Sequence, residues 1–288
     1  MSAQTTHLPE LSRLAPVGAE VHARSAASEE NPRQLLPQST SASQRLLGPT
    51  LVITLWFAVT LSGWLSPDML PKPTTVAHTF RDLWADGYLL DNIAASLLRA
   101  GQGLAAGIAA GLLLALLAGL TRLGDALFDG LVQIKRALPN LALIPLFIMW
   151  MGIGETMKIT VIALGVLVPI YINTHAALRD IDLRYVELAQ TVDLNRAQFL
   201  RHIVFPSCLP GFFTGLRLAA THAWTALVVV ETINATSGIG YMISQARIYG
   251  QIEVVMAGLV LYGVLGFGTD ALIRTIHRKV LGWRQTVA

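Results

Sequence analysis

The sequence predicts an all-α membrane protein of about six transmembrane helices. Three observations carry that prediction. Of the 288 residues, 53% are hydrophobic and 14% charged, against about 25% charged in a soluble domain, and mean hydropathy is +0.54. The apolar residues gather in runs of about 20 or more, enough to cross about 30 Å of hydrocarbon as helix. The basic residues stand mostly at the ends of those runs, so the net charge of +3 reads as a topology signal and not as a nucleic-acid surface. The one cysteine, Cys208, excludes an internal disulfide and a multi-cysteine metal site; it reads as a small apolar residue near the membrane boundary.

Residues 1–45 are rich in Ser, Ala, Gln and Pro without periodicity, and read as a disordered tail. They carry no secretory signal, which would need a basic start followed by an apolar core. The first span runs uncharged from Leu46 to Leu65. Ser66–Asp91 follows, with Pro67, Pro71 and Pro73, and reads as a loop with a short interfacial helix around Val76–Trp84. The second span, Ile93–Leu120, repeats Gly103, Gly107, Gly111, Ala115 and Gly119 every fourth residue. That is a small-residue strip along one face, which lets another helix approach closely. The third, Leu127–Ile153, contains Lys135 and Arg136 and is interrupted by Pro139 and Pro145; proline is tolerated in a span where neighbours satisfy the freed carbonyls. The fourth is Ile159–Leu178, the fifth Ser207–Val230 with Arg217 and His222 inside it, and the sixth Val254–Ile273. Glu231–Glu253 is a polar connection, and residues 46–284 form the membrane domain, with 285–288 trailing it.

Lys and Arg counts orient the chain. With a cytoplasmic N-terminus the inside segments hold Arg13, Arg24, Arg33, Arg45, Arg122, Arg179, Arg184, Arg196, Arg201, Arg274, Arg278, Lys279 and Arg284, thirteen in all. The outside segments hold four: Lys72, Arg81, Lys158 and Arg247. Both termini and the loop between the fourth and fifth spans therefore read as cytoplasmic.

That loop, residues 183–206, is a polar helical pattern between two apolar spans. Glu187, Leu188, Ala189 and Gln190 suit a helix, and a glutamate early in it would favour the helix dipole. Asp193, Leu194 and Asn195 suit a turn, since Asp and Asn tolerate left-handed backbone. Asn195 is placed to cap a second helix from Arg196. Phe199, Leu200, Ile203 and Val204 give that helix an apolar stripe, and Pro206 is expected to stop it. The product is an elbow with an exposed ridge that has nothing in its own chain to dock into.

The stretch Glu187–Pro206 resembles the "EAA" loop of permease subunits of ABC importers: Glu-Ala-Ala, three residues, Gly, nine residues, Ile, any residue, Leu-Pro. Glu187, Ala189, Ile203 and Pro206 match in register, while Leu188, Asp193 and Phe205 depart. In that family the loop is the coupling helix that inserts into a cleft on a separate ATPase subunit. The stretches RALPNLALIPLFIMWMGIG, VPIYINTHAALRDID and ETINATSGIGY resemble the aliphatic sulfonate, taurine and nitrate permease group. The resemblance covers about residues 46–284. It implies a type I ABC importer permease fold, in the cell inner membrane, as a homodimer with two ATPase subunits and a substrate-binding protein. It also implies ATPase coupling through Glu187, Ala189, Asp193, Ile203 and Pro206.

Arg217 stands inside a span, where a charge is costly, and reads as a pathway cation, as half of a structural ion pair or as a side chain snorkelling to the cytoplasmic face. His222 reads as a pathway group or a packed histidine. Glu231, near the outer end of the fifth span, reads as a gate residue or a partner of Arg247 or Lys158. The sequence holds no GxxxxGK[ST] loop, so no ATP or other cofactor is expected on this chain. No HExxH, GxSxG or intramembrane carboxylate cluster is evident, which argues against a membrane enzyme and against a proton-coupled carrier working alone. Within the importer reading, an aliphatic sulfonate or taurine leads, with nitrate, bicarbonate and thiamine-precursor-like pyrimidines as alternatives.

Overall fold

The computed structural model describes residues 47–283; the predicted tails, 1–45 and 285–288, lie outside the described residues. The described residues from Thr54 onward form one compact unit.

Helix α1 is Leu47–Leu61. Its 15 residues span about 22 Å, short of the hydrocarbon thickness. It ends before the expected Leu65 because Gly63 turns the chain with φ +70°. Pro73 starts α2, Pro73–Ala85, the expected interfacial helix. The long helix α3 is Tyr88–Leu120. The third predicted span is broken: α4, Arg122–Ala137, meets α5, Asn140–Met151, at 94°. The break falls at Leu138, whose backbone is extended ahead of Pro139. Pro145 causes none, because it sits in the first turn of the α-helical part of α5, where its missing N–H is not needed. Then come α6, Glu155–Arg179, α7, Leu183–Thr191, and α8, Arg196–Ile233. The chain ends with α9, Ile239–Ile248, and α10, Ile252–Val280. Among the described residues, α3, α6, α8 and α10 are each long and apolar enough to cross a membrane, and α4–α5 is a fifth span if the bent pair counts as one.

Helix α6 is the centre, with 56% of its apolar window buried against 22–33% for the other three long helices. The predicted small-residue strip of α3 packs on it. A Cβ at Gly107 would stand 2.6 Å from the Ala163 carbonyl oxygen, and one at Gly111 2.7 Å from that of Leu167. An adjoining face of α6 receives a second strip, on α8, and Ile170 lies between the two. Gly211 and Gly215 abut Asn173 and Pro169, and Ala219, Ala223 and Ala226 enter the core with Val161, Ile162 and Val166. Close backbone approach is what holds helices together where hydrocarbon offers no hydrophobic drive. The outward faces stay apolar, as at Leu98, Leu113, Val264 and Phe267, which suits lipid.

Candidate functional site

The elbow is built as a helix stop followed by a helix start. Helix α7 closes on a Schellman motif: the Asp193 N–H donates to the Gln190 carbonyl (3.2 Å) and the Leu194 N–H to that of Ala189 (2.9 Å). Asp193 holds φ +50°, the single positive φ outside glycine among the described residues. The left-handed residue the turn requires is thus supplied by aspartate, which tolerates it better than most side chains. Asn195 then caps α8 in a capping box: its Oδ1 accepts from the Gln198 N–H (2.9 Å), and Gln198 Oε1 accepts from the Asn195 N–H (3.0 Å).

Two expectations about the elbow need correction. Pro206 does not stop the second helix. A π-helical turn, Leu200–Val204, precedes it, and Pro206 lies in the first turn of the next α-helical stretch, which begins at Phe205. The wide turn relieves the clash between the proline ring and the preceding carbonyls. The elbow's second helix and the fifth span are therefore one rod, α8. Glu187 is the fifth residue of α7 and lies outside its first turn, so the dipole argument does not apply to it.

Glu187 is exposed, and around it stand Leu183, Tyr185, Leu188 and Val192, each more than half exposed. Ala189 is buried within the chain, so it shapes the elbow instead of lining its outer ridge. Ile203 and Pro206 are half-buried. The apolar stripe turns inward at Phe199 and Val204, which pack with Leu178, Ile181 and Cys208.

At the far end of α6 and α8, Glu231 is 1% exposed. Its partner is Arg99 on α3 (Nη1 to Oε1, 2.8 Å), and neither Arg247 nor Lys158. Glu231 also accepts from Ser96 (2.8 Å), the Gly240 N–H (2.9 Å) and Tyr262 (3.1 Å). Arg99 spends its remaining donors on Glu155 (2.6 and 2.9 Å) and on Ser237. Lys158 completes the set on Glu155 (2.9 Å). Gly238 takes φ +116°, and a side chain there would strike the Glu231–Arg99 pair. This network ties α3, α6, α8, α9 and α10 with its charges paired, so Glu231 acts here as a staple. The pairing was hidden in sequence because Arg99 and Glu231 lie 132 residues apart.

Arg217 is also paired, with Asp270 on α10 (2.9 Å), which in turn meets Arg274 (3.1 Å). Arg217 does not line the main cavity. Asp270 and Glu231 are each paired with an arginine. His175 on α6 sits between Asp125 (3.2 Å) and Asp129 (3.8 Å) of α4, stacked on Tyr171.

The main cavity, about 600 Å³, lies beside the α4–α5 break. Lys135, Arg136, Asn140, Asn173, His222 and Thr225 give it polar groups. Lys135 Nζ donates to Asn140 Oδ1 (3.1 Å), and Asn140 Nδ2 to the Val161 carbonyl (3.0 Å). The predicted pathway residue His222 is thus in a cavity wall, while Arg217 and Glu231 are not. Lys135, Arg136, Asn140 and Asn173 were not singled out in the sequence; the signal for the first two was a pair of charges inside an apolar segment, just before a proline. A second cavity, about 440 Å³, lies between α6, α7 and α8, and Asn173 lines both.

Residues 107–282 match the family of binding-protein-dependent transport system inner membrane components. The chain is 37% identical over 241 residues to the putative aliphatic sulfonates transport permease protein SsuC of Bacillus subtilis (strain 168), covering 84% of this chain and 87% of that protein. It is 41% identical over 235 residues to the protein of the same description from Escherichia coli (strain K12), with 82% and 89% covered. Among solved structures, an amino acid ABC transporter crystallised with histidines superposes with a TM-score of 0.56 at 15% identity, covering 68% of this chain and 95% of that one. That likeness shows the fold.

Proposed function

The chain belongs to the family of binding-protein-dependent transport system inner membrane components, and from that premise we propose that it imports aliphatic sulfonates, taurine included. It is a multi-pass membrane protein and the permease subunit of an ABC importer, not an enzyme. Permeases of this family work with ATPase subunits and a substrate-binding protein. The reading adds an inner-membrane location, two ATPase subunits, a second copy of this chain and cytoplasmic termini, the last supported by the thirteen-to-four Lys and Arg asymmetry.

The observation that carries the coupling role is the elbow. Glu187 and the apolar side chains around it stand exposed on α7, and Asp193 and the Asn195 capping box fix the angle behind them. That ridge is the surface offered to the ATPase cleft. Helix α8 gives the mechanical link, because its elbow end and its cavity wall are one helix. From Arg196 to His222 it extends about 39 Å. ATP draws the ATPases together, the elbows move with them, and α8 carries the motion to the cavity. The cavity's open side bears the exposed groups Leu218, His222 and Thr225; two copies facing each other there would enclose one shared chamber.

Growth of a deletion strain, with and without the gene restored, tests the substrate. Rescue is expected on an alkanesulfonate or taurine as sole sulfur source, with none needed on sulfate. Rescue only on nitrate as nitrogen source would keep the mechanism and move the substrate.

A further inference from the structure

We propose that the cavity at the α4–α5 break is a selectivity site in the permease itself, holding a small amphipathic organic anion by Lys135 and Arg136. The inference rests on the importer reading and deepens it, because selection would not then belong to the binding protein alone.

The first argument is charge accounting. Every other cation set well inside the spans has an acidic partner: Arg99 has Glu155 and Glu231, Lys158 has Glu155, and Arg217 has Asp270. Among the described residues no carboxylate lies within 4.0 Å of Lys135 or Arg136. The partner of Lys135 is the neutral Asn140. Lys135 is half-buried and Arg136 exposed; a partly desolvated cation without a counter-charge at membrane depth carries a cost that an anion would offset.

Depth and backbone agree. Gly165, in the cavity wall, is ten residues along the 25-residue α6, so the site sits near mid-span. Broken helix at that depth is tolerated where it lines a cavity. Unwound segments of transporter helices recur at substrate sites for that reason. Here Leu138, Pro139 and Asn140 are both the break and the lining.

The remaining wall sets the ligand class. Leu138, Leu141, Val168, Ile172 and Leu218 surround the cations with apolar surface. A bare inorganic anion would leave that surface without a partner, whereas an alkyl chain of a few carbons covers it. The volume, about 600 Å³, is within the ordinary range of small-molecule sites. A head group with several anionic oxygens, as in a sulfonate, can engage both Lys135 and the planar Arg136 fork.

The test uses the purified full chain in neutral detergent, with thermal unfolding followed by tryptophan fluorescence. Butanesulfonate is expected to raise the midpoint saturably, with sodium sulfate at matched ionic strength and 1-butanol giving little or no shift. Lys135→Gln and Arg136→Gln should each weaken the response about tenfold, and Lys135→Arg should restore it. Equal shifts with sulfate, or an unchanged response in the double Gln variant, would overturn the proposal. So would loss of the butanesulfonate shift on adding phosphatidylglycerol, since the anion would then be a lipid head group. In cells, Lys135→Gln should cut butanesulfonate uptake about tenfold while binding-protein-stimulated ATP hydrolysis in membranes persists. Absence of uptake by the unaltered protein would count against the importer assignment instead, so the two failures are separable.

Discussion

Two groups of charges sit in the same bundle and are treated in opposite ways. Around Arg99 each ion has its counter-ion: Glu155, Glu231 and Lys158 close the set, and Ser96, Gly240 and Tyr262 use the lone pairs left over. Lys135 meets only the neutral Asn140, and the cavity it shares with Arg136 is otherwise lined by His222, Thr225, Asn173 and apolar side chains. Buried charges that are mutually paired hold helices in one arrangement. Charges left unpaired in a cavity are ready for something that arrives. Removing a member of the first group should therefore damage the fold, and removing a member of the second should damage transport.

The largest effect is expected from Glu231→Ala. It removes one of the two carboxylates on Arg99 and leaves the Ser96, Gly240 and Tyr262 donors without their acceptor, and breaking a buried pair costs about 3–5 kcal/mol. Membrane yield and the unfolding midpoint should fall together. Replacing both partners, as in Arg99→Met with Glu231→Leu, should be milder than Glu231→Ala alone; a double variant as weak as the sum of the singles would break the idea that pairing is what matters. Next is Glu187→Lys on the elbow, an exposed acid with no side-chain partner among the described residues. ATP-driven uptake should drop several-fold while the amount of protein in the membrane stays the same. Normal uptake would remove Glu187 from the coupling surface.

Asp193 gives a smaller and signed effect. At φ +50° glycine is free of the Cβ penalty that aspartate carries, so Asp193→Gly should raise elbow stability by up to about 1 kcal/mol with transport kept, as read by thermal unfolding and uptake. Asp193→Val should do the reverse. The smallest change is expected for Arg217→Gln. Both Arg217 and Asp270 are partly exposed, and such pairs contribute about 0–1 kcal/mol. Uptake within about twofold of normal is the outcome that separates Arg217 from Lys135.

Much of the elbow was legible because its logic is local. Asp193 at a helix end and Asn195 before a new helix are short-range signals, and both took the backbone the sequence implied. The strip Gly103–Gly119 was legible as a packing face through its four-residue period. The second strip, Gly211, Gly215, Ala219 and Ala223, has the same four-residue period and went unread. Pro206 misled, since a proline stops a helix only where the preceding turn cannot widen, and a π turn supplied the width.

By itself the sequence determined the all-α class, the apolar segments, the elbow and the family likeness, since each is written in neighbouring residues or in a short period. Only the tertiary structure decided what the charges do. Whether Arg99, Arg217 or Lys135 meets a carboxylate depends on helices that are distant in sequence and adjacent in space. The cost of a charge in an apolar bundle is set by that meeting, and spacing along the chain does not encode it.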